Sequence, residues 1–537
     1  MNAFVKEYQD LLDGVYCSFD RIVIGAYFTM LHTPGGLLTW FRRLFPNKPL
    51  DKNQLMRFAC RFGRRTQAFA KANQVQILYP KSGTRKHELA QTYLKNFKKP
   101  QGIFLIMVVR EMAWVYDSYT PKTKPDTLHR NLKAEMRLVN YYYFHILDKN
   151  WGHVTIGISP HPPFAAKIIL NGHEWLAQRA NRRGLAYQKH ENCLIEITDG
   201  QALQELADTL SEGHLLDVCR RWMPRVMMGL TAKELKTSGI ARLFSFMQVE
   251  YAHNMLFRQP RYLQWVYQNM IDETRQRLRP GSINTVFGKD RRGVKIKSMS
   301  LRLENPEYDL TTVNLWFGRN RIKTYDKGER VLRTETTINH PRALGLKKSL
   351  SAWPKYRQRM AQMIATYHNT LQAANQCRLP REILEQLQAP TIQNHIRVPG
   401  IQLTHRRVMT VLRTAVELAK RPDGFTAAEL YAQVRQRLQE QKYTKSQLTY
   451  DLRKLKAKTI IEKITRRQRY RFTSEGLKMA VGLIVFRDEI LEPVLASAHI
   501  NKKRGPKPKL NYRDQLYRNI QINLEALCVD YGLKQAA

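Results

Sequence analysis

The sequence predicts an α+β multidomain chain with a mixed α/β N-terminal body, a helical middle carrying a β-hairpin, and a C-terminal winged helix-turn-helix. Three observations predict it. From Phe19 to Ile197, apolar runs of strand length alternate with basic amphipathic helical patterns. Two strand-like runs at the centre are joined by Lys327-Gly328-Glu329. Past Thr404, three helical patterns lead into two short strands around a basic turn and then a closing helix.

In the N-terminal body (1–205) the strand candidates are Phe19–Phe28, Gln74–Tyr79, Ile103–Val109, Tyr141–Leu147, Val154–Ile158, Ala166–Leu170 and Cys193–Ile197. Lys52–Asn73 reads as an amphipathic helix, and Asn171 reads as the N-cap of a helix that ends before Gly184. From Gln201 to Leu278 the pattern turns helical, with apolar residues three and four apart in LLDVCRRWMPRVMM and FSFMQVEYAHNMLF. The second region (206–345) closes with a strand candidate at Gly293–Leu303 and the hairpin Arg321–Asp326 and Arg330–Ile338. A helical connector (346–395) holds the helix Lys348–Cys377, and periodicity lapses near Pro390–Pro399, as in a linker.

The region 396–495 spaces its elements as a winged helix does: helix Thr404–Lys420, turn Arg421-Pro422-Asp423-Gly424, a helix capped by Thr426, a helix Thr444–Ala457, strands Thr459–Ile464 and Arg469–Thr473, and a helix from Ser474. Beyond it (496–537) come a basic segment, Asn501–Lys509, and an amphipathic helix, Tyr512–Leu533.

Charge narrows the function. Eighty-nine Lys and Arg face 45 Asp and Glu, a net charge of +44 with pI about 10.1, while 43% hydrophobic residues leave ample material for folded cores. A chain of 537 residues suggests three or four domains at about 100–200 residues each. Self-repulsion on this scale is relieved by a polyanion, so DNA, or a structured RNA, is the expected partner. A membrane is not expected: the longest apolar run, Ile103 to Val109, has strand length, and the start, with Glu7 and Asp10, lacks the apolar core of a secretory signal. Six cysteines without a C-x-x-C read as reduced thiols, so the expected location is the cytoplasm, on the nucleoid.

In the helix Thr444–Ala457, Leu448, Leu452 and Leu455 share one face, which is expected to turn Ser446, Tyr450, Arg453 and Lys454 outward as a groove-reading set, with Lys445 at its start. From Thr444 to Thr473 ten basic residues oppose two acids, and Arg466, Arg467 and Arg469 of the wing are placed to reach phosphates. The segment Lys503-Arg504-Gly505-Pro506-Lys507 resembles an AT-hook, whose basic residues lie in a narrow minor groove; the alternative is a solvated linker.

Strand cleavage on Mg2+ needs carboxylates converging from strand ends. Four acids stand in or beside apolar strands: Asp20, Glu111, Asp326 and Glu335, with Asp326 and Glu335 on the two arms of one hairpin. The structural alternative is that Arg333 and Glu335, two residues apart on a strand, simply pair, and that Asp20 pairs with Arg21. Tyr325 is the first choice for a covalent nucleophile. No G-x-x-x-x-G-K-[ST], G-x-S-x-G or H-E-x-x-H occurs, which removes the P-loop, serine hydrolase and zincin classes.

Two resemblances follow from these residues. Phe19-Asp20-Arg21, Asn171 to Ala177, Asn320 to Lys327, Leu332 to Asn339 and Arg469 to Thr473 resemble a bacterial family with a C-terminal MarR-like winged helix. The run Ile322–Glu335 is similar to a stretch of rolling-circle replication initiators of phages and plasmids, which implies strand nicking by a Tyr with a divalent metal and a place on a mobile element. Those initiators bind metal through two His separated by one apolar residue; no H-x-H occurs here, so the chain departs from their metal motif and a His-metal nickase is not expected. The rival expectation is a non-catalytic binder, either a DNA-site regulator or the protein half of a ribonucleoprotein.

Overall fold

The computed structural model describes residues 3–81, 83–120, 130–237, 242–276, 283–287, 300–305, 312–375, 387, 389–393, 396–402, 405–419, 424–438, 443–464, 469–491 and 512–530. The chain is mixed α/β and forms two compact units. The larger comprises Asp10–Tyr267 and Asn284–Ile364; the smaller comprises Met1–Gln9, Gln268–Ile283 and Ala365–Ala537.

The larger unit is built on one twelve-stranded sheet. Its strands are β1 (Leu12–Phe28), β2 (Gln76–Leu78), β3 (Gly102–Tyr119), β4 (Asn131–Asp148), β5 (Gly152–Ile158) and β6 (Ala166–Asn171), then β9 (Arg242–Phe257), β10 (Ile283–Phe287), β11 (Ser300–Asn305), β12 (Thr312–Phe317), β13 (Asn320–Asp326) and β14 (Val331–Ile338). The short hairpin β7 (Gln188–His190) and β8 (Cys193–Ile195) stands apart from it. The order is β10-β11-β12-β13-β14-β9-β1-β6-β5-β4-β3-β2. Two antiparallel meanders therefore flank a long central pair: β3–β6 folds back onto β1, and β11–β14 folds back onto β9.

All seven N-terminal strand candidates are present, as is the helix Lys52–Asn73, capped by Asp51. The helix Gly172–Arg182 begins at Asn171, whose side chain accepts from the amides of His173 and Glu174, and Gly184 follows it at φ +68°. The strands were legible as apolar runs of strand length, and the helices as capped amphipathic periods.

FSFMQVEYAHNMLF, expected to be helical, is strand β9. Val249, Ala252 and Leu256, all buried and three and four residues apart, mimic helical spacing. Beside β1, β9 is buried on both faces over much of its length, which erases the alternation that marks a half-buried strand. Phe19, Phe246 and Trp353 stack on one face of this pair, and Phe62 packs on Tyr142 and Phe144 further along. The presumed linker Pro390–Pro399 contains paired strands, Thr391–Gln393 and Ile396–Val398.

In the smaller unit, helices Arg406–Leu418, Ala427–Arg437 and Lys445–Ala457 enclose a core of Leu412, Leu430, Val434, Leu448, Leu452 and Leu477. Thr426 with Glu429 and Thr444 with Gln447 form reciprocal caps on the second and third of these helices. Phe425–Thr426 pairs with Arg469–Phe472, which pairs with Ile461–Ile464, and the helix Ser474–Val485 closes the unit. Gly424, at φ +69°, allows the close approach: a Cβ there would lie 2.1 Å from the Tyr470 carbonyl.

Candidate functional site

Three of the five residues singled out for catalysis meet in the structure, and a buried arginine joins them. Arg333 of β14 is 0% exposed. Its Nε donates to Asn254 Oδ1 at 2.7 Å, and its terminal nitrogens donate to Asn192 Oδ1 at 3.1 Å and to the Asn192 carbonyl at 3.0 Å. One of those nitrogens lies 3.6 Å from Asp20 Oδ2 and 3.5 Å from Glu335 Oε1. Asn192 Nδ2 donates to Asp20 at 2.9 Å, and the Tyr325 hydroxyl donates to Glu335 Oε1 at 2.7 Å. The Lys323 ammonium sits 3.9 Å over the Tyr325 ring.

Register explains the convergence. Tyr325 of β13 lies opposite Arg333, and Lys323 opposite Glu335, so these side chains share one face of the sheet. On the next strand Arg333 faces Asn254 and Glu335 faces Ala252. Asp20 joins them through a bulge: between the pairs Phe19–Tyr251 and Ile22–Val249, β1 has two residues where β9 has only Glu250. That extra residue re-aims Asp20 and Arg21. Asp20 therefore pairs with Arg333 and not with Arg21, whereas Arg333 and Glu335 do pair as the structural alternative held.

Glu250, which sequence reasoning missed, adds a third carboxylate. Burial raises the Asp20 carboxyl to about 7, with Glu335 and Glu250 adding to the rise and Arg333 opposing it. Burial, then Glu335, also raises Glu250. Burial and Glu335 push the Tyr325 hydroxyl well above its usual range. The signal for Glu250 was its place in an apolar strand; the helical reading of that strand concealed it.

The other two acids lie elsewhere. Glu111 accepts from Lys86 at 2.6 Å, from Lys167 at 3.3 Å and from the Tyr143 hydroxyl at 2.7 Å, and these partners outweigh burial and lower its pKa. Asp326 faces Leu332, not Glu335, and its carboxylate accepts from the Gly328 amide at 2.8 Å, bracing the hairpin turn. Both belong to other structural contacts because strand pairing, not closeness in sequence, decides which side chains meet. Among the described residues no three His, Cys, Asp or Glu form a group able to hold a metal by themselves. Asp20 and Glu335 fit the smaller demand of Mg2+, which is often held by one or two carboxylates with water and substrate phosphate completing the shell. Their mutual repulsion and the raised Asp20 pKa are what a cation would relieve.

In the smaller unit the helix Lys445–Ala457 exposes Lys445, Ser446, Thr449, Tyr450, Arg453 and Lys456. Lys454, expected to point outward, is 8% exposed, with its ammonium 4.9 Å over the Tyr450 ring. Thr449 and Lys456, which the sequence reading passed over, take its place on the open face. Arg469 is also drawn inward: it donates to the Gly424 carbonyl at 3.1 Å and approaches Glu429 at 3.4 Å. Inside the unit, Asp451 accepts from Arg407 at 3.2 Å and from the Tyr443 hydroxyl at 3.1 Å. Arg466, Arg467, Lys503, Arg504 and Lys507 lie outside the described residues.

No family model, curated protein or solved structure matches the chain. No helix among the described residues is long and apolar enough to cross a membrane.

Proposed function

We propose that this is a nucleic-acid-binding protein of a mobile genetic element, which grips DNA through a C-terminal winged helix and cleaves one strand at the Tyr325 site. The observation that carries the catalytic part is the 2.7 Å hydrogen bond from the Tyr325 hydroxyl to Glu335, with a second carboxylate, Asp20, joined to the same arginine. A hydroxyl bonded to a carboxylate is a nucleophile with its base in place. Tyr325 Oη attacks the phosphorus of a phosphodiester and passes its proton to Glu335 Oε1. The bond from phosphorus to the leaving sugar oxygen breaks, leaving a phosphotyrosine and a strand end that takes a proton from water. Asp20 and Glu335 are the residues that would hold Mg2+, which supplies charge stabilisation to the phosphoryl oxygens when bound. Arg333 fixes both carboxylates and offsets their repulsion.

Binding rests on the exposed face Ser446, Thr449, Tyr450, Arg453 and Lys456, which spaces its residues as a groove-entering helix does, and on the +44 charge. One specific observation favours a non-catalytic second reading: Arg333 already supplies a positive charge between Asp20 and Glu335. In that reading the cluster is a structural ion network within a regulator or a ribonucleoprotein. Incubation with supercoiled plasmid and Mg2+ or Mn2+ separates the two. Nicking by the parent that is lost in Tyr325→Phe and Glu335→Gln is expected; a parent that never nicks, or variants that nick equally well, refutes the catalytic reading.

A further inference from the structure

Beside the carboxylate cluster, the same sheet face carries a group of cations. Arg21 of β1 faces Asn171 of β6; four residues further along β1, Gly25 faces Lys167, which faces Gly157 of β5, which faces Tyr143 of β4. Gly157 makes room: a Cβ there would stand 2.8 Å from the Tyr141 ring, 2.9 Å from the Tyr143 ring and 3.0 Å from Lys167 Cε. The Lys167 ammonium can therefore lie 4.9 Å from the centroids of both rings, with Lys86 at 4.7 Å from Tyr143. Glu111 is the carboxylate that accepts from both lysines. Arg21 is exposed, and no carboxylate lies within 4.0 Å of it among the described residues. Burial lowers the Lys167 pKa, Glu111 opposes the change, and Lys86 and Arg21 add to it. Lys86 and Lys167 thus share one carboxylate, Arg21 adds a third cation whose charge acts on Glu250, and the bulge that carries Asp20 and Arg21 joins this basic group to the acidic one.

We propose that Arg21, Lys167 and Lys86 form a phosphate subsite that holds the backbone of a single nucleic-acid strand leading away from the Tyr325–Glu335 pair, over the Tyr141 and Tyr143 rings. The proposal rests on the strand-cleavage reading and names how that site holds its substrate. A phosphodiester supplies the anion that Glu111 alone does not. A single row of cations matches one backbone.

The test uses the full chain in an Arg453→Ala, Lys456→Ala background, so that the C-terminal face does not dominate, with a fluorescent single-stranded oligonucleotide followed by anisotropy across a salt series. Arg21→Gln with Lys167→Gln is expected to reduce the slope of log K against log salt by about 1.4, and affinity in 0.1 M salt by roughly ten- to thirty-fold. Glu111→Gln releases two lysines and is expected to act in the opposite direction, tightening binding and steepening the slope. An unchanged slope in the double variant, or weaker binding in Glu111→Gln, overturns the subsite. Tyr325→Phe keeps the two ideas apart: it should bind the strand like the parent, and if it still cuts, the nucleophile is wrong whatever the slopes show.

Discussion

Replacing Arg333 by glutamine probes the centre of the sheet most directly. The guanidinium is fully buried, donates to Asn254 Oδ1, Asn192 Oδ1 and the Asn192 carbonyl, and lies 3.5–3.6 Å from the carboxylates of Asp20 and Glu335. A glutamine amide can replace only part of this set and carries no charge. Removing one partner from a buried charge network costs about 3–5 kcal/mol, because the remaining charges stay desolvated. The penalty also has a pH signature. The folded-state pKa of Asp20 is raised from 3.8 to about 7, so the stability associated with its protonated form is fully present below pH 4 and is lost as pH rises towards and through 7. Without Arg333, which opposes the rise, the Asp20 carboxyl should bind its proton more tightly still. The variant should therefore be most impaired near pH 8 and partly recover at pH 5, where Asp20 can protonate. Urea unfolding followed by circular dichroism at the two pH values measures this, and adding Glu335→Gln should recover about 1–2 kcal/mol of the loss at pH 8, as coupled neighbours do. A loss below about 1 kcal/mol at pH 8, or an equal loss at both pH values, would refute the idea that Arg333 stabilises the cluster by charge.

Further tests follow from the same contacts. Cleavage on Asp20-bound metal requires the ionised carboxylate, so nicking at limiting Mg2+ should rise with pH through about 7, and saturating Mg2+ should shift the midpoint down; a flat profile from pH 6 to 8 removes Asp20 from the chemistry. Arg453→Ala and Lys456→Ala should each lower the salt slope for duplex DNA by about 0.9, whereas Lys454→Ala, altering a buried residue, should lower the unit's melting temperature more than the slope. Asp451→Ala leaves Arg407 and the Tyr443 hydroxyl without their buried acceptor and should destabilise the smaller unit by about 1–3 kcal/mol, read as a shift of its thermal transition. Burial depresses His145 to about 3 and His153 to about 4, so both favour unfolding as pH falls from 6.5 towards 4; His145→Leu should flatten the acid limb of the stability profile.

Much of the architecture was legible in the residues. The apolar runs of strand length from Phe19 to Leu170, the caps at Asp51, Asn171, Thr426 and Thr444, and the Lys327–Glu329 turn are local signals, and local physics reproduces them in the structure. So is the pairing of Arg333 with Glu335, two residues apart on one strand. Strand β9 was not legible, since it is buried on both faces from Tyr251 to Phe257 and its apolar residues also fall three and four apart, as on a helix. Lys454 and Arg469 show a second limit: a cation counted by composition can fold back over a tyrosine ring or onto a carbonyl instead of facing solvent.

By itself, the sequence determined the balance of charge, the apolar runs that make most of the strands, and the short list of acids in apolar surroundings. Tertiary structure alone decided which of those acids meet. Asp20 reaches Glu335 because β1, β9 and β14 lie side by side and one bulge turns Asp20 onto their common face, while Glu111 and Asp326, equally prominent in the sequence, are held by lysines and by a turn amide. The physical reason is that side-chain periodicity is set within a strand, whereas the neighbours of a strand are chosen by hydrogen-bond register across hundreds of residues of chain.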